Sequence, residues 1–220
     1  KIGSGKVHLE EIPVDLDEEM EKIHAIADVQ AKKQEIRFSI EDEVVHRQFL
    51  GSPAHLRRIL LNLISNALRY NKKGGKICLA IREVEYDGSH IGLEFKVQDT
   101  GIGMSEEFQK HLFEPFAQES SNARTAYKGT GLGLAITKRF IEIMGGEIEF
   151  ISRQNVGTEF TIILPFKINR NVTKAKNSKC DAQMSIEGLK VLVAEDNEMN
   201  MEIVSFILDN AGARTVGVSD

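Results

Sequence analysis

The chain has 220 residues, of which 41% are hydrophobic and 28% charged, so it is long enough for one full domain and a smaller second piece. A net charge of −5, with no basic run interleaved with aromatic residues, does not fit a nucleic-acid-binding surface, and we expect no nucleic acid partner. The two distant cysteines, Cys78 and Cys180, exclude a disulfide scaffold or a zinc module and are typical of a reducing compartment, so we expect a cytoplasmic protein.

No apolar run approaches the roughly 20 residues that cross a bilayer, so we expect no direct membrane contact from this chain. The sequence begins without methionine and stops within an apparent β-α-β pattern. We therefore expect it to be a fragment of a longer protein, for which an upstream membrane segment stays open.

The first part of the chain predicts a linker, a helix and a strand. Residues 1–14 carry glycines and a proline with little periodicity and are interpreted as the linker. Apolar residues recur at helical spacing over 16–34 and then alternate over 36–40, which predicts a helix followed by a strand. Ser52 is the expected N-cap of a second helix, with Pro53 at its first position.

This second helix has the most informative pattern. Its apolar stripe comprises Leu56, Ile59, Leu60, Leu63, Ile64 and Ala67. Asn62, Asn66 and Arg69 form a polar edge beside that stripe. Asparagine is a mediocre helix former, so two on one edge favour a ligand-facing surface, with a merely solvated edge as the alternative.

Two strands, 76–84 and 91–98, follow around a turn at 86–90, and alternate residues of the second are apolar. Asp99 comes at the end of the second strand, directly before Thr100-Gly-Ile-Gly103. Its carboxylate is either part of an ordinary turn or a fixed acceptor that faces a pocket.

A short helix over 105–112, capped by Ser105, comes next. Phe113 and Phe116 are predicted to close a small apolar cluster. Residues 117–128 are polar and aperiodic, and a loop of this length within a domain is typical of a lid.

Three glycines at alternate positions, Gly129, Gly131 and Gly133, lead into a helix over 132–144 that ends at Gly145-Gly146. Free N–H groups at such a helix start are suited to bind an anion, although alternating glycines also build tight turns.

Beyond this helix, strands over 147–152 and 158–165 are predicted to form a hairpin in which Phe160 faces one side and Thr161 the other. Residues 169–186 are interpreted as a linker. A β-α-β pattern follows, with strands over 190–194 and 214–218 and a helix over 199–208.

Four motifs in order carry a resemblance to a known family. They are Asn62-x-x-x-Asn66-Ala-x-Arg69-Tyr70, Asp99-x-Gly-x-Gly103, Phe113-x-Pro-Phe116 and Gly129-x-Gly-x-Gly133. Together they resemble the catalytic, ATP-binding domain of sensor histidine kinases, over about Leu16 to Phe166. The chain has no Walker A pattern, and Ile136 occupies the third glycine position of a dinucleotide fingerprint.

The resemblance implies the Bergerat fold, a two-layer α/β sandwich with helices on one face of a mixed, largely antiparallel sheet. It also implies ATP and Mg²⁺ as cofactors. Asp99 would accept a hydrogen bond from the adenine amino group, with Thr161 supporting it. The other residues implied at the nucleotide are Tyr70, Gly101, Ile102, Gly103 and Phe113.

For the phosphates, the resemblance implies that Asn66 holds Mg²⁺ through its amide oxygen and that Asn62 assists one turn away. Arg69 and Lys128 would neutralise phosphate charge, and Arg124 would move onto the γ-phosphate. The implied catalytic set is Asn62, Asn66, Arg124 and Lys128. The implied phosphate loop comprises Gly129, Thr130, Gly131, Leu132, Gly133 and Leu134.

The tail from Lys190 resembles the opening of a response-regulator receiver domain, in which Glu195 and Asp196 would bind Mg²⁺ only if that domain were intact. A hybrid histidine kinase in a phosphorelay is thereby implied. The implied organisation is a linker from a missing dimerisation domain over 1–14, a kinase catalytic domain over 15–168, a linker over 169–186 and a truncated receiver over 187–220.

None of the six histidines has the setting of a phosphoacceptor, so the implied acceptor lies on a dimerisation domain of the same full-length protein. The receiver and a downstream phosphotransfer protein are the other implied partners. Three alternatives remain open: an ATPase of the same fold, a serine kinase of the same fold, and a non-catalytic regulatory nucleotide-binding module.

Overall fold

A computed structural model of the chain describes residues 9–118, 130–169, 190–194 and 214–218. The chain divides into two compact units, the first ending at Val172 and the second beginning at Thr173. The elements of the first unit are β1 (Ile12–Asp15), α1 (Leu16–Lys33), β2 (Arg37–Glu43), β3 (Gln48–Gly51), α2 (Pro53–Arg69), β4 (Lys76–Tyr86), β5 (His90–Asp99), α3 (Glu106–Gln109), α4 (Gly133–Ile143), β6 (Glu147–Arg153) and β7 (Gly157–Ile168).

The first unit is built on a seven-stranded mixed sheet. Its strand order is β1-β3-β7-β5-β4-β2, and β6 pairs with β7 beside β3. The β2–β4 pairing is parallel and the others are antiparallel. Helices α1, α2 and α4 pack on one face of this sheet, so the predicted two-layer sandwich is confirmed.

Apolar side chains from α2 and β5 meet between the two layers. Helix α2 contacts α1, α4, β4 and β5, and its predicted stripe from Leu56 to Ala67 is buried. On β5 the alternate residues Ile91, Leu93, Phe95 and Val97 are at most 1% exposed. The alternation places the side chain of the next residue in that series, Asp99, on the helix-facing side of the sheet.

The linker predicted over residues 1–14 is wrong in its last part. Ile12–Asp15 forms strand β1, which pairs with β3 and buries Val14. Four residues containing Pro13 show no readable alternation, and proline is tolerated because β1 is an edge strand. Asp15 then caps α1 by accepting hydrogen bonds from the Asp17 and Glu18 N–H groups.

The two predicted N-cap serines differ. Ser105 accepts a hydrogen bond from the Phe108 N–H at 3.3 Å, as expected, although its helix is shorter than predicted. Ser52 stands at the N-cap position of α2, but its hydroxyl contacts His55 Nδ1 at 2.7 Å and caps no backbone N–H. The cap predicted at Ser52 is therefore wrong in its hydrogen bond, and Pro53 removes one of the N–H groups that would need a partner.

The second unit contributes two described strands, β8 (Lys190–Ala194) and β9 (Arg214–Val218). They pair in parallel, with Lys190 opposite Arg214 and Ala194 opposite Val218. Both strands have the predicted bounds, whereas the helix predicted over 199–208 lies outside the described residues. Across the described ranges of both units, no helix has the length and apolar character needed to cross a bilayer.

Candidate functional site

The carboxylate of Asp99 is held at the end of β5 by two backbone donors. Its Oδ1 accepts hydrogen bonds from the Gly101 N–H at 2.7 Å and the Thr158 N–H at 3.3 Å. Within the described part of the chain, no residue donates to Oδ2. Burial raises the pKa of Asp99 above its ordinary value, although the two N–H bonds oppose this effect. Asp99 is therefore a fixed acceptor with one oxygen uncommitted.

The threonine that faces Asp99 is Thr158 and not the predicted Thr161. Thr158 lies directly opposite Asp99 on β7, whereas Thr161 lies opposite Lys96. The alternation of β7 puts Thr161 on the sheet face away from the helices, so it does not contact Asp99, and the predicted support by Thr161 is wrong. The sequence contained the signal, because Asp99 and Thr158 each continue the buried alternation of their strands.

The glycines after Asp99 let this loop approach two neighbouring backbones. The Ile102 N–H donates to the carbonyl of Tyr70 at 3.0 Å, and a side chain on Gly101 would collide with that carbonyl. Gly103 has a φ of +63° and lies against the backbone of Arg153. The loop therefore joins the end of α2 to the β6–β7 hairpin. The side chains of Tyr70 and Ile102, each 41% exposed, lie beside it.

The polar edge of α2 leads from this loop toward the start of α4. Asn62 donates from Nδ2 to Thr137 Oγ1 at 2.7 Å, and its Oδ1 lies against Gly133. Asn66 is one turn closer to Tyr70, and Arg69 follows; both are half-buried. Neither side chain has a hydrogen bond or ion pair to another described residue. From Asn62 to Tyr70 the helix rises about 12 Å.

The start of α4 has no side-chain cap. Leu132 stands at the N-cap position and offers no acceptor, so among the described residues no side chain caps the first N–H groups of the helix, which are suited to bind an anion. Gly131, at a φ of +70°, lies against the backbone of Phe116, whose N–H donates to the Gly131 carbonyl at 3.0 Å. The Thr130 hydroxyl accepts from the Leu132 N–H at 3.4 Å.

The two phenylalanines of the third motif behave differently. Phe113 packs edge-on against Phe150 at 5.9 Å, with the Lys138 ammonium 5.0 Å from its ring centre. Phe116 is 71% exposed and has a φ of +65°. The predicted cluster is thus confirmed for Phe113 and wrong for Phe116, and a nucleotide contact of Phe113 stays a prediction.

Several predicted site residues lie outside the described residues: Arg124, Lys128, Gly129, Glu195 and Asp196. Leu134, the last residue of the predicted phosphate loop, is described and packs against the core. In the described ranges, no three histidine, cysteine or acidic residues come together as a metal site would require.

The comparison with known families covers this whole arrangement. Residues 51–168, more than half of the chain, match the family described as "Histidine kinase-, DNA gyrase B-, and HSP90-like ATPase". The match includes the α2 edge, the Asp99 loop, the start of α4 and the β6–β7 hairpin. The chain belongs to this ATPase family.

Relatives within the family are sensor kinases. The chain is 34% identical over 218 residues to the sensor protein GacS of Pseudomonas syringae pv. syringae, which covers 98% of this chain and 23% of that protein. It is 32% identical over 228 residues to hybrid signal transduction histidine kinase C of Dictyostelium discoideum, covering 100% of this chain and 18% of that protein. The chain spans less than a quarter of each of these two relatives.

A solved structure shares the fold. The crystal structure of full-length ShkA in complex with AMPPNP matches with a TM-score of 0.64 and 26% identity, covering 99% of this chain and 42% of that one. The resemblance drawn from the four motifs is thus confirmed for the ATPase family and for histidine kinase relatives.

Proposed function

We propose that this chain binds Mg²⁺-ATP and presents the γ-phosphate to a histidine on a dimerisation domain of the same full-length protein, as part of a two-component phosphorelay. The observation that carries the proposal is the uncommitted Oδ2 of Asp99, held at one end of a helix edge whose other end meets the open N-terminus of α4. The uncommitted Asp99 oxygen suits a base amino group, and the N-terminus of α4 suits phosphate.

Asp99 is the proposed anchor for adenine. Its Oδ1 is already engaged by Gly101 and Thr158, so Oδ2 is oriented without further ordering when a ligand arrives. A hydrogen bond from a base amino group to this carboxylate is worth about 1.5–3 kcal/mol, which is about ten- to a hundredfold in affinity. The exposed side chains of Tyr70 and Ile102 then flank the base or ribose.

The phosphate end fits a magnesium ion that is shared with the nucleotide. The Asn66 amide has no described partner, and an amide oxygen is a hard ligand of the kind Mg²⁺ prefers. Since no cluster of three histidine, cysteine or acidic residues lies among the described residues, phosphate oxygens and water would supply the other ligands of the ion. When bound, it would neutralise charge on the phosphates, while Arg69 and the N–H groups of α4 hold them.

In the proposed transfer, a neutral imidazole nitrogen attacks the γ-phosphorus, a P–N bond forms and the bond to the β–γ bridging oxygen breaks, so that ADP leaves. The protein's contribution is positioning and charge stabilisation, because phosphoryl transfer requires little covalent chemistry from it. We assign Arg124 and Lys128 to the γ-phosphate as part of this proposal.

Asn62 favours transfer over hydrolysis. A family member that hydrolyses ATP with water needs a general base beside the phosphates, whereas the Asn62 amide cannot accept a proton and already donates to Thr137. An ATPase, a serine kinase or a regulatory module remain the alternatives to be tested.

Binding is tested by calorimetry with Mg²⁺-ATP. The wild-type chain should bind saturably with one site, and Asp99→Ala should lose at least about tenfold in affinity. Asp28→Ala is the matched control, because Asp28 pairs with Lys32 on the surface of α1. Binding that Asp99→Ala leaves unchanged would refute the assignment of the base anchor.

Transfer is tested in the full-length protein with ATP labelled at the γ-phosphate. We expect acid-labile label on the protein and, at ATP concentrations below saturation of the wild type, much less label on the Asp99→Ala variant. Acid-stable label would indicate a serine kinase, and free phosphate without labelled protein would indicate an ATPase. If the protein binds ATP but neither label nor phosphate appears, the regulatory module is the better description.

We also propose that residues 15–168 form the kinase catalytic domain and that residues 187–220 begin a receiver domain. The parallel pairing of β8 with β9 supports the second assignment, because a receiver opens with parallel strands. Extending the sequence beyond Asp220 to a third strand that ends in aspartate would test it.

A further inference from the structure

The β6–β7 hairpin and Gln109 form hydrogen bonds with the loop that follows Asp99. The Asn155 N–H donates to the Ile102 carbonyl at 2.6 Å, and the Met104 N–H donates to Ser152 Oγ at 2.9 Å. Gln109 binds the carbonyls of both Met104 and Ser152 through its Nε2, at 3.0 and 3.2 Å. Hydrogen bonds therefore hold this loop at both ends, at Asp99 and at Ile102 and Met104.

Ser152 has three hydrogen-bond contacts through one oxygen. Besides the Met104 N–H, its Oγ lies 3.2 Å from the carbonyl oxygen of Gly157 and 2.9 Å from Thr158 Oγ1. The Gly157 carbonyl can only accept, so Ser152 donates its single proton there. Its lone pairs then accept from Met104 and from Thr158.

The Gly157 contact determines the direction assigned to the Thr158 hydroxyl. With the one Ser152 proton on the Gly157 carbonyl, Thr158 is the donor in its 2.9 Å contact with Ser152, and its Oγ1 keeps only acceptor capacity for any other neighbour. Thr158 lies directly opposite Asp99 on the adjacent strand, and side chains of such pairs share one face of the sheet at about 5 Å. Two acceptors therefore stand side by side at the base end of the site.

We propose that Ser152 is a positioning residue that sets base specificity. By accepting a hydrogen bond from the Thr158 hydroxyl, it leaves Asp99 and Thr158 to present only acceptors to the base, which selects a purine with an amino group over one with a carbonyl at the same position. The proposal rests on the nucleotide site proposed above. Ser152 acts through Thr158 and Met104 without touching the ligand.

Without the Ser152 hydroxyl, Thr158 is free to turn its proton toward the base. A donor at this position suits the carbonyl of a 6-oxopurine, so the preference for a 6-aminopurine should fall. A purely structural role would lower the affinity for both kinds of base together, because loosening of the loop does not distinguish them.

The test compares ATP with ITP, which carries a carbonyl in place of the amino group, in calorimetry with Mg²⁺ present. Ser152→Thr and Ser152→Val form a matched pair, because their side chains have the same shape and differ only in the hydroxyl. We expect Ser152→Thr to keep the wild-type ratio of ATP to ITP affinity and Ser152→Val to reduce that ratio by about three- to tenfold. Ser39→Ala, at an exposed position of strand β2, is the control for loss of a hydroxyl elsewhere.

Several outcomes would overturn the proposal. They are equal loss of ATP and ITP affinity in Ser152→Val, an unchanged ratio in that variant, or a reduced ratio in Ser152→Thr. If Ser152→Val does not fold, Ser152→Ala replaces it, with the same expected fall in the ratio. Saturable ATP binding by the wild type together with an unchanged ratio would refute the role of Ser152 and leave the proposed function standing, whereas absence of wild-type binding would refute both.

Discussion

The two ends of the candidate site are prepared to different degrees. At the base end, Asp99 is bound by two backbone N–H groups and the loop after it is tied to α2 and to the β6–β7 hairpin. At the phosphate end, the side chains of Asn66 and Arg69 have no partner among the described residues. The first turn of α4 has no side-chain cap, although Asp15 and Ser105 cap α1 and α3.

This difference separates selectivity from charge stabilisation. Groups that are fixed before the ligand arrives distinguish one base from another at little ordering cost. Open donors and an unpaired amide acquire partners only when phosphate and Mg²⁺ are present. We therefore expect changes at the base end to alter which nucleotide binds, and changes at the phosphate end to alter how strongly phosphates and metal contribute.

The largest effect is expected from Asp99→Asn. The Gly101 and Thr158 N–H groups should hold the amide oxygen at the Oδ1 position, so that the NH₂ group takes the Oδ2 position and offers the base a donor instead of an acceptor. The variant should therefore lose the preference of ATP over ITP by about ten- to a hundredfold. Calorimetry with both nucleotides measures this ratio. A ratio that stays at the wild-type value would contradict the division between the two ends.

The raised pKa of Asp99 gives this prediction a pH dependence. Since the folded pKa lies above the unfolded one, the folded state binds the Asp99 proton more tightly, and the stabilisation this provides is lost as pH rises through the folded pKa. The ligand-free Asp99→Asn variant should thus be more stable than wild type at neutral pH, with the gap closing on acidification. Over the same range the wild-type ATP to ITP ratio should fall, while the ratio of the variant stays constant.

A smaller effect is expected from Gly131→Ala. The new Cβ would lie 2.7 Å from the backbone carbon of Phe116, and alanine at a φ of +70° is strained. The start of α4 should shift, and ATP affinity should fall by about tenfold, while adenosine affinity stays unchanged.

Gly74→Ala is the control that separates the effect of backbone strain from that of a steric clash. Gly74 has a similar φ of +77° but nothing within 4 Å of the position that a Cβ would take. It should lose about 1 kcal/mol of stability and no nucleotide affinity. Equal loss of adenosine and ATP affinity in Gly131→Ala would show that the two ends are not separable.

The next largest effect on nucleotide binding is expected from Asn66→Ala. Mg²⁺ should increase the ATP affinity of the wild type, and removal of the amide oxygen should make this increase several-fold smaller. The free energy lost would be about that of one hydrogen bond or less. Titrations with Mg²⁺ and with EDTA give that increase directly. Ser65→Ala, on the neighbouring helix position, is the control, and an equal reduction in both variants would exclude Asn66 as a ligand.

Much of the fold could be predicted because the spacing of apolar residues along the sequence indicates which face of a helix or strand is buried. The stripe on α2 and the alternation on β5 predicted the helix layer and the sheet, and both are buried. Strands β1 and β3 escaped prediction because four residues carry too little alternation to read, and their stability comes from pairing with each other and with β7.

The site was harder to predict than the fold, because side-chain partners depend on register across strands and helices. Asn62 donates from its amide to Thr137, 75 positions further along the chain, a partner that no local pattern predicts, and its role at the phosphates stays a prediction. Ser152 was not singled out at all, since a lone serine in a strand has no pattern. Thr158 carried a readable signal, because the alternation of β7 places it on the face of Phe160 and places the predicted Thr161 on the other.

The smallest effect is expected from the two threonines of β7, and it tests that register. Thr158→Val should reduce the ATP to ITP ratio by a few-fold, because it removes one of two neighbouring acceptors while the Thr158 N–H still holds Asp99. Thr161→Val, on the other face opposite Lys96, should leave the ratio unchanged. The two substitutions remove the same hydroxyl from one strand, three residues apart, so calorimetry that found the larger change at Thr161 would mean that the opposite face of the sheet meets the base.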